Sequence, residues 1–282
     1  MLTLKKEDFE KSVPAFRDYE DRTYKAILPY IEAAMERAYE ELDPEPVMDS
    51  VMSDLKDYIY KSAAWESLPH LDLTLTENGF AVVSNQHVAP ASAERVERLR
   101  EHLRQQKSRA KDAVIFGILA NYGSAQGEGS GMHILQVRLR NFLFCPTMLR
   151  RHGISTWNGR AVYEEEYQDL TDRIEAAQQQ VEELISQELA DWMLEKQVRD
   201  EKSGSGLLSN AEYIHLIELC RNLMAAIITG RRQSERELRK KTLAYLEAHI
   251  GQFTPYKNTS SYEANHFQPY ENRKDDSCFF FG

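Results

Sequence analysis

The stretch "LTENGFAVVSNQHVAPASAERVERL", residues 75–99, decides the local fold because it holds a strand, a turn and the start of a helix. Leucines alternate with polar residues over 71–76, which is the period of a half-buried strand. Ser92 is a residue type that caps helices, and the residues that follow it predict a helix over about 93–120. The stretch therefore predicts a rigid structural element, a β-hairpin followed directly by a long helix.

The turn of this hairpin is predicted from Asn78 and Gly79, since a two-residue turn requires positive φ at both positions. This turn would place Leu75 opposite Val82, with Phe80 on the same apolar face. The hairpin is predicted over about residues 71–84, and Asn78, Gly79 and Phe80 are its candidate turn residues.

Periodic apolar positions predict helices on both sides of the hairpin, so the fold class is mainly α, a helical bundle. Pro29 predicts a kink or a later start in the first long helix, and Ser186 predicts a break in a long C-terminal one. Ser–x–x–Glu capping boxes at Ser209 and Ser234 open the last two helices. The predicted helices cover residues 21–42, 47–65, 93–120, 161–198, 209–230 and 234–251.

Glycines divide the chain, since "GSAQGEGSG" at 123–131 is typical of a flexible linker. The predicted units are a helical unit with the hairpin at 1–122, a second helical unit at 132–254, and a polar, extended C-terminal arm at 255–282. "YIEAAMERAYEEL" (30–42) echoes "RIEAAQQQVEELI" (173–185), which indicates a duplicated helical unit or a chance match between Ala/Glu-rich helices.

Composition sets broad limits on the class of protein. With 282 residues, 42% hydrophobic and 28% charged, the chain is long and apolar enough for a globular core. A net charge of -10 argues against a general nucleic-acid coat. Three distant cysteines indicate a reducing compartment. The absence of a signal-like or membrane-spanning apolar run predicts a cytosolic protein that does not bind membranes.

Catalytic and metal-binding patterns are absent from the sequence. The glycine stretch lacks the lysine of a phosphate-binding loop, and no HExxH, CxxC or GxSxG pattern occurs. "EEE" at 164–166 opens a helix, where negative charge suits the helix dipole. We therefore predict no catalytic residue, no metal site and no cofactor. An enzyme without a recognisable motif is the remaining alternative.

Charge is segregated along the chain. The first seventy residues are acidic, whereas 95–111 and 231–241 are basic and 129–163 contain arginines but no carboxylate. This pattern indicates docking, either between copies of the chain or onto nucleic acid, and the alternative is solvated helix faces with glutamate partners. The candidate basic contact face comprises Arg95, Arg98, Arg104, Arg138, Arg140, Arg231, Arg232 and Arg236.

The C-terminal arm ends in three phenylalanines, which are costly to expose. Either they dock on the core of their own chain or they anchor in a neighbouring subunit. The candidate docking residues of the arm are Tyr256, Tyr262, Phe267, Tyr270, Phe279, Phe280 and Phe281.

The stretch at 75–100, with its T-E-N-G-F-x-V-V-S-N hairpin and P-A-S helix start, resembles an uncharacterised family from phages and prophages of gut anaerobic bacteria. Weaker resemblances of pattern are "RIEAAQQQVEELISQELADWM" (173–193), "LIELCRNLMAAII" (216–228) and the aromatic tail. The glycine-rich stretch at 123–131 departs from the family pattern.

The resemblance implies a non-enzymatic virion structural protein, a head-to-tail connector or neck component. Its expected partners are further copies of itself in a ring and virion proteins such as portal or tail components. The expected location is the host bacterial cytoplasm during assembly and then the virion. The alternative function is a DNA-contacting packaging or regulatory factor that uses the basic helices.

Overall fold

The fold is taken from a computed structural model of the whole chain. The structure describes residues 2–16, 22–42, 44, 48–71, 73–76, 79–82, 93–121, 138, 140–156, 159–200 and 211–267.

Eleven α-helices and two short strands form the described part of the chain. In chain order they are α1 (Lys6–Ser12), α2 (Arg22–Leu42), α3 (Met48–Leu71), β1 (Leu73–Thr76), β2 (Gly79–Val82), α4 (Ala93–Asn121), α5 (Pro146–Arg151), α6 (Glu164–Asp169), α7 (Thr171–Ile185), α8 (Gln187–Asp200), α9 (Ala211–Ile228), α10 (Arg232–Ala248) and α11 (Ser260–Asn265). Two 3₁₀ turns lie at Pro14–Phe16 and Thr254–Tyr256.

Helix α3 is the centre of the N-terminal half and packs against α1, α2 and α4. Each of the three long helices turns an apolar stripe inward, because apolar residues recur every three to four positions. Gly117 permits the close approach of α4 to α3, since a Cβ there would lie 2.8 Å from Cγ1 of Val51. Helix α2 continues through Pro29, so of the two predicted alternatives, a kink or a later start, the later start is excluded. Proline has no backbone N–H, so one carbonyl of the preceding turn loses its helical hydrogen bond. Because Pro29 is exposed, water can bind this carbonyl instead.

Strands β1 and β2 pair antiparallel, and Leu75 lies opposite Phe80 while Leu73 lies opposite Val82. This register differs from the expected one, in which Leu75 faced Val82. A shift of two residues leaves every side chain on its face, so apolar alternation alone does not distinguish the two registers. Gly79 and Phe80 begin β2, and Asn78 lies outside the described residues.

Helix α9 is the core helix of the C-terminal half and packs on α7 and α10. The predicted break at Ser186 is confirmed, because this residue has φ of 82° and separates α7 from α8. The predicted capping box at Ser234 is wrong, since α10 begins at Arg232 and its N-cap position is Arg231. Gly230, at φ of 69°, ends α9, so the chain turns early enough for α10 to start before the serine.

The prediction of an extended arm from residue 255 is wrong for its described part. Tyr256 lies in a 3₁₀ turn and is fully buried, and α11 then packs on α7. Thr259 caps α11 by accepting a hydrogen bond from the backbone N–H of Tyr262. Tyr256 is thus buried against the chain's own helices, a contact that polar composition does not reveal.

The prediction of a mainly helical protein is confirmed. One hydrophobic cluster contains buried residues of both predicted helical units, from Leu2 to Phe253, and also Tyr256 of the predicted arm. The glycine-rich stretch at 123–131 lies outside the described residues. The unit boundaries and the internal duplication stay predictions.

Candidate functional site: a buried charge cluster and two exposed charge rows

A buried charge cluster joins α4 to α6, with Glu164 at its centre. Glu164 is 9% exposed and Lys111 is 4% exposed. The Lys111 ammonium lies 3.1 Å from Glu164 and donates to Glu41 of α2 at 2.5 Å. Arg138 donates two hydrogen bonds to Glu164. Because charges of both signs meet here, each buried charged group has a partner of opposite charge in place of water.

The electrostatics of the cluster favour its charged forms. Burial alone would raise the pKa of the Glu164 carboxyl, but Lys111 and Arg138 outweigh it and hold this pKa below its usual range. Burial likewise opposes the charge on Lys111, but Tyr58, Glu164 and Glu41 outweigh burial and raise the pKa of Lys111. A cavity of about 110 Å³ adjoins the cluster. The arrangement is a structural junction of balanced charge.

The rim of this junction takes up further cations of α4. Arg104 donates to Glu166 at 2.6 Å and to Glu165 at 3.0 Å. Lys107 lies 3.3 Å from Glu165 and over the ring of Trp65. Carboxylates of α6 therefore neutralise the basic face of α4, although the glutamates lie about sixty residues away in sequence.

Asp112 forms a second buried polar contact one residue further along α4. Its carboxylate accepts a hydrogen bond from the backbone N–H of Thr147 at 3.0 Å, which caps α5 from outside the helix. Arg150 lies 3.5 Å from the same oxygen, and the other oxygen has no hydrogen-bond partner among the described residues. Burial raises the pKa of Asp112 to about 6.

The predicted basic contact face is therefore not one surface. Arg104 and Arg138 pair with carboxylates of the same chain, and Arg98 pairs with Glu94. Arg231 donates to the Thr229 hydroxyl at 2.8 Å. Arg95 and Arg140 are exposed, as are Arg232 and Arg236.

A row of unpartnered cations lies on α10. Arg232, Arg236 and Lys240 are exposed and follow one another every four residues, so they form a single row, which we call the basic row. Within the part of the chain that the structure describes, none of the three makes an ion pair or a hydrogen bond to a side chain. At about 1.5 Å of rise per residue, the row is about 12 Å long.

A matching row of carboxylates lies on α2. Glu32, Glu36 and Glu40 are exposed and have the same four-residue spacing, and we call them the acidic row. None of them has a side-chain partner in the described ranges. Like charges at this spacing repel each other and weaken a helix by about 0.2–0.5 kcal/mol per pair. Each row is thus slightly unfavourable in the isolated chain and ready for a partner of opposite charge.

The candidate docking residues of the tail divide by environment. Tyr256 is fully buried and accepts a hydrogen bond from Asn265, and Tyr262 packs on it edge to face. Phe267 is 76% exposed. Tyr256 is thus a core residue of its own chain, which corrects its assignment as a subunit-docking residue. Tyr270 and the three terminal phenylalanines lie outside the described residues.

The other surface features of the described residues give weaker evidence for a functional site. An open groove of about 710 Å³ follows the start of α4 and is lined by charges of both signs around Tyr163. Among the described residues, no group of three or more His, Cys, Asp or Glu side chains is placed to hold a metal ion. The described helices include none that is long and apolar enough to cross a membrane.

Residues 21–116 match the profile of a family described as a family of unknown function, DUF6712. The match covers α2, α3, the hairpin and most of α4, and so includes the acidic row and Lys111. No curated protein and no solved structure matches the chain.

Sequence reasoning missed the central role of Glu164 and Lys111, because their partners are distant in sequence. A usable signal was present, since "EEE" at 164–166 directly follows an arginine-containing stretch without carboxylates. The acidic row was readable from the spacing of Glu32, Glu36 and Glu40 on an amphipathic helix.

Proposed function

We propose that this chain is a non-enzymatic structural protein of a phage or prophage particle, and that it acts by oligomeric assembly. The carrying observation is the pair of unpartnered charge rows on two different helices, α2 and α10. A chain with a basic and an acidic surface can bind a second copy of itself head to tail, and such contacts close into rings when the rotation permits.

Within this class, we assign the chain the role of a head-to-tail connector or neck component. The support is the resemblance of residues 75–100 to phage and prophage proteins, and this segment lies entirely inside the matched family range of 21–116. In this role the chain binds portal or tail proteins. It is made in the host cytoplasm and ends in the virion.

Quantitative mass spectrometry of purified phage or induced prophage particles tests this function. The proposal expects the protein at a fixed copy number, comparable to that of the portal protein in the same particles. Absence from mature particles that contain portal and tail proteins would contradict the connector role.

A DNA-contacting packaging or regulatory factor is the second candidate, and the unpaired basic row favours it. Cations of α4 at Arg104, Lys107 and Lys111 are already paired, so DNA contact would fall on α10. This function predicts DNA binding that weakens steeply with salt. No binding to duplex DNA at about 50 mM salt would remove this candidate.

A further inference from the structure

We propose that the basic row of α10 docks on the acidic row of α2 in a second copy of this chain, with the two helices antiparallel. The inference rests on the proposed assembly and names the contact that produces it. Within the chain, no ion pair joins the two rows among the described residues, and α2 packs on α3 while α10 packs on α9. Both rows thus face away from their own packing partners.

The spacing of the rows is the first argument. Three cations and three carboxylates each recur every four residues, so both rows have the same pitch of about 6 Å. Aligning two such rows is the geometry of the commonest class of helix packing, in which the helices cross at about 50°. All three opposite charges then meet in one register: Arg232 with Glu40, Arg236 with Glu36 and Lys240 with Glu32.

The residues beyond the rows select the antiparallel direction. In this register Ala244, the exposed residue at the next position of the row on α10, lies opposite Leu28, which is 36% exposed. One turn further, Glu247, which lies 3.0 Å from His266 of its own chain, comes level with the exposed Lys25. In the parallel direction Leu28 would instead lie opposite Ile228, which is buried in its own chain. The antiparallel contact therefore gives an exposed leucine an apolar neighbour, which the parallel contact does not.

The occupant is a second copy rather than nucleic acid because the chain itself carries the complementary surface. Binding to DNA would use the basic row alone and leave the acidic row of the same chain without a partner. A contact between two copies uses the basic row of one copy and the acidic row of the other. One basic row and one acidic row then stay free at the two ends of the pair. A third copy can therefore bind, and the assembly closes only as a ring.

Charge reversal tests the contact in the full-length protein by sedimentation velocity at about 50 mM salt, where surface charges act over more than about 10 Å. Glu36→Arg and Arg236→Glu are each expected to weaken self-association by about tenfold, since an opposite-charge pair becomes a like-charge pair. The double variant Glu36→Arg/Arg236→Glu restores the pair and is expected to recover association. An equimolar mixture of the two single variants is expected to recover it too.

Matched controls separate this contact from a general effect of charge. Glu175→Arg on α7 and Lys257→Glu near the tail alter exposed residues outside both rows and are expected to leave association unchanged. Unfolding curves of each variant check that the fold is retained.

Three results would overturn the inference. If the wild type associates and neither single variant weakens it, the contact lies elsewhere and the proposed assembly stands. If the wild type stays monomeric at about 50 mM salt, the assembly itself is contradicted. If Arg236→Glu abolishes binding to duplex DNA while the wild type is monomeric, the partner of the basic row is nucleic acid.

Discussion

Helices α4 and α10 carry similar runs of basic residues, yet their cations have opposite environments. Lys111 of α4 is buried against Glu164, and Arg104 pairs with two glutamates of α6. Arg232 and Arg236 of α10 are exposed and lack partners among the described residues. The difference teaches that a basic helix stabilises the fold where tertiary packing brings carboxylates to it. Where packing brings none, it is an available binding surface.

Removal of the central carboxylate of the cluster is expected to have the largest effect. Glu164→Gln leaves Lys111 and Arg138 buried without their shared partner, so we expect the free energy of unfolding to fall by about 3–5 kcal/mol. Urea denaturation measures it. The exposed control Glu175→Gln is expected to change it by less than about 0.5 kcal/mol. A loss below about 1 kcal/mol for Glu164→Gln would show that the junction is solvated.

The tail also holds one buried and one exposed aromatic residue, which can be compared in the same way. Tyr256→Ala empties a fully buried site and is expected to cost about 3–5 kcal/mol of stability. Phe267→Ala, at a 76% exposed aromatic residue of the same segment, is expected to cost less than about 0.5 kcal/mol. Thermal and urea unfolding compare the two variants. Equal losses would mean that residues 254–267 do not pack as described.

The buried Asp112 of α4 makes the stability of the folded chain depend on pH. Its pKa is raised to about 6 in the folded chain, against 3.8 for an ordinary aspartate. The folded state therefore holds this proton more tightly than the unfolded state. The resulting stability is complete below about pH 4 and is lost as the pH rises through about 6.

Asp112→Asn removes this ionisation while keeping a side-chain acceptor for Thr147. The free energy of unfolding of the variant, relative to the wild type, is expected to rise by about 2–3 kcal/mol between pH 4 and 6. Urea titrations at a series of pH values measure the difference. A constant difference across this range would place the pKa of Asp112 near its usual value.

The smallest effect is expected on α10. Replacing Arg232, Arg236 and Lys240 by glutamine removes two like-charge neighbours and is expected to raise stability by about 0.4–1 kcal/mol at low salt. Arg239→Gln on the same helix removes a cation that is paired with Glu235, and is expected to lower stability by about 0.5 kcal/mol. The comparison is made at a protein concentration low enough for the wild type to be monomeric, because association would add to its stability. If the triple variant is destabilised under these conditions, the row has an intramolecular partner.

The helical fold was predictable because apolar periodicity reports burial directly, as in α2, α9 and the break at Ser186. The start of α10 was mispredicted because Gly230 turns the chain before the serine of the apparent capping box. The burial of Tyr256 depends on packing of its turn against the distant helix α8, so local composition does not reveal it.

The candidate site shows the same limit. The spacing of both charge rows is present in the sequence, but their lack of partners is a tertiary property. Arg104 and Arg138 were assigned to the contact face because nothing local distinguishes a paired arginine from a free one. Their glutamate partners lie 26 to 62 residues away.

Amine labelling of the native protein, read by mass spectrometry, tests the contrast between α4 and α10 most directly. At about 500 mM salt, where surface attraction is screened, Lys240 is expected to react rapidly and Lys111 slowly. At about 50 mM salt Lys240 should become protected by the neighbouring copy, while the exposed Lys257 of the tail stays reactive as the internal reference. Lys111 reacting as fast as Lys240, or Lys240 reacting equally at both salt concentrations, would contradict the account.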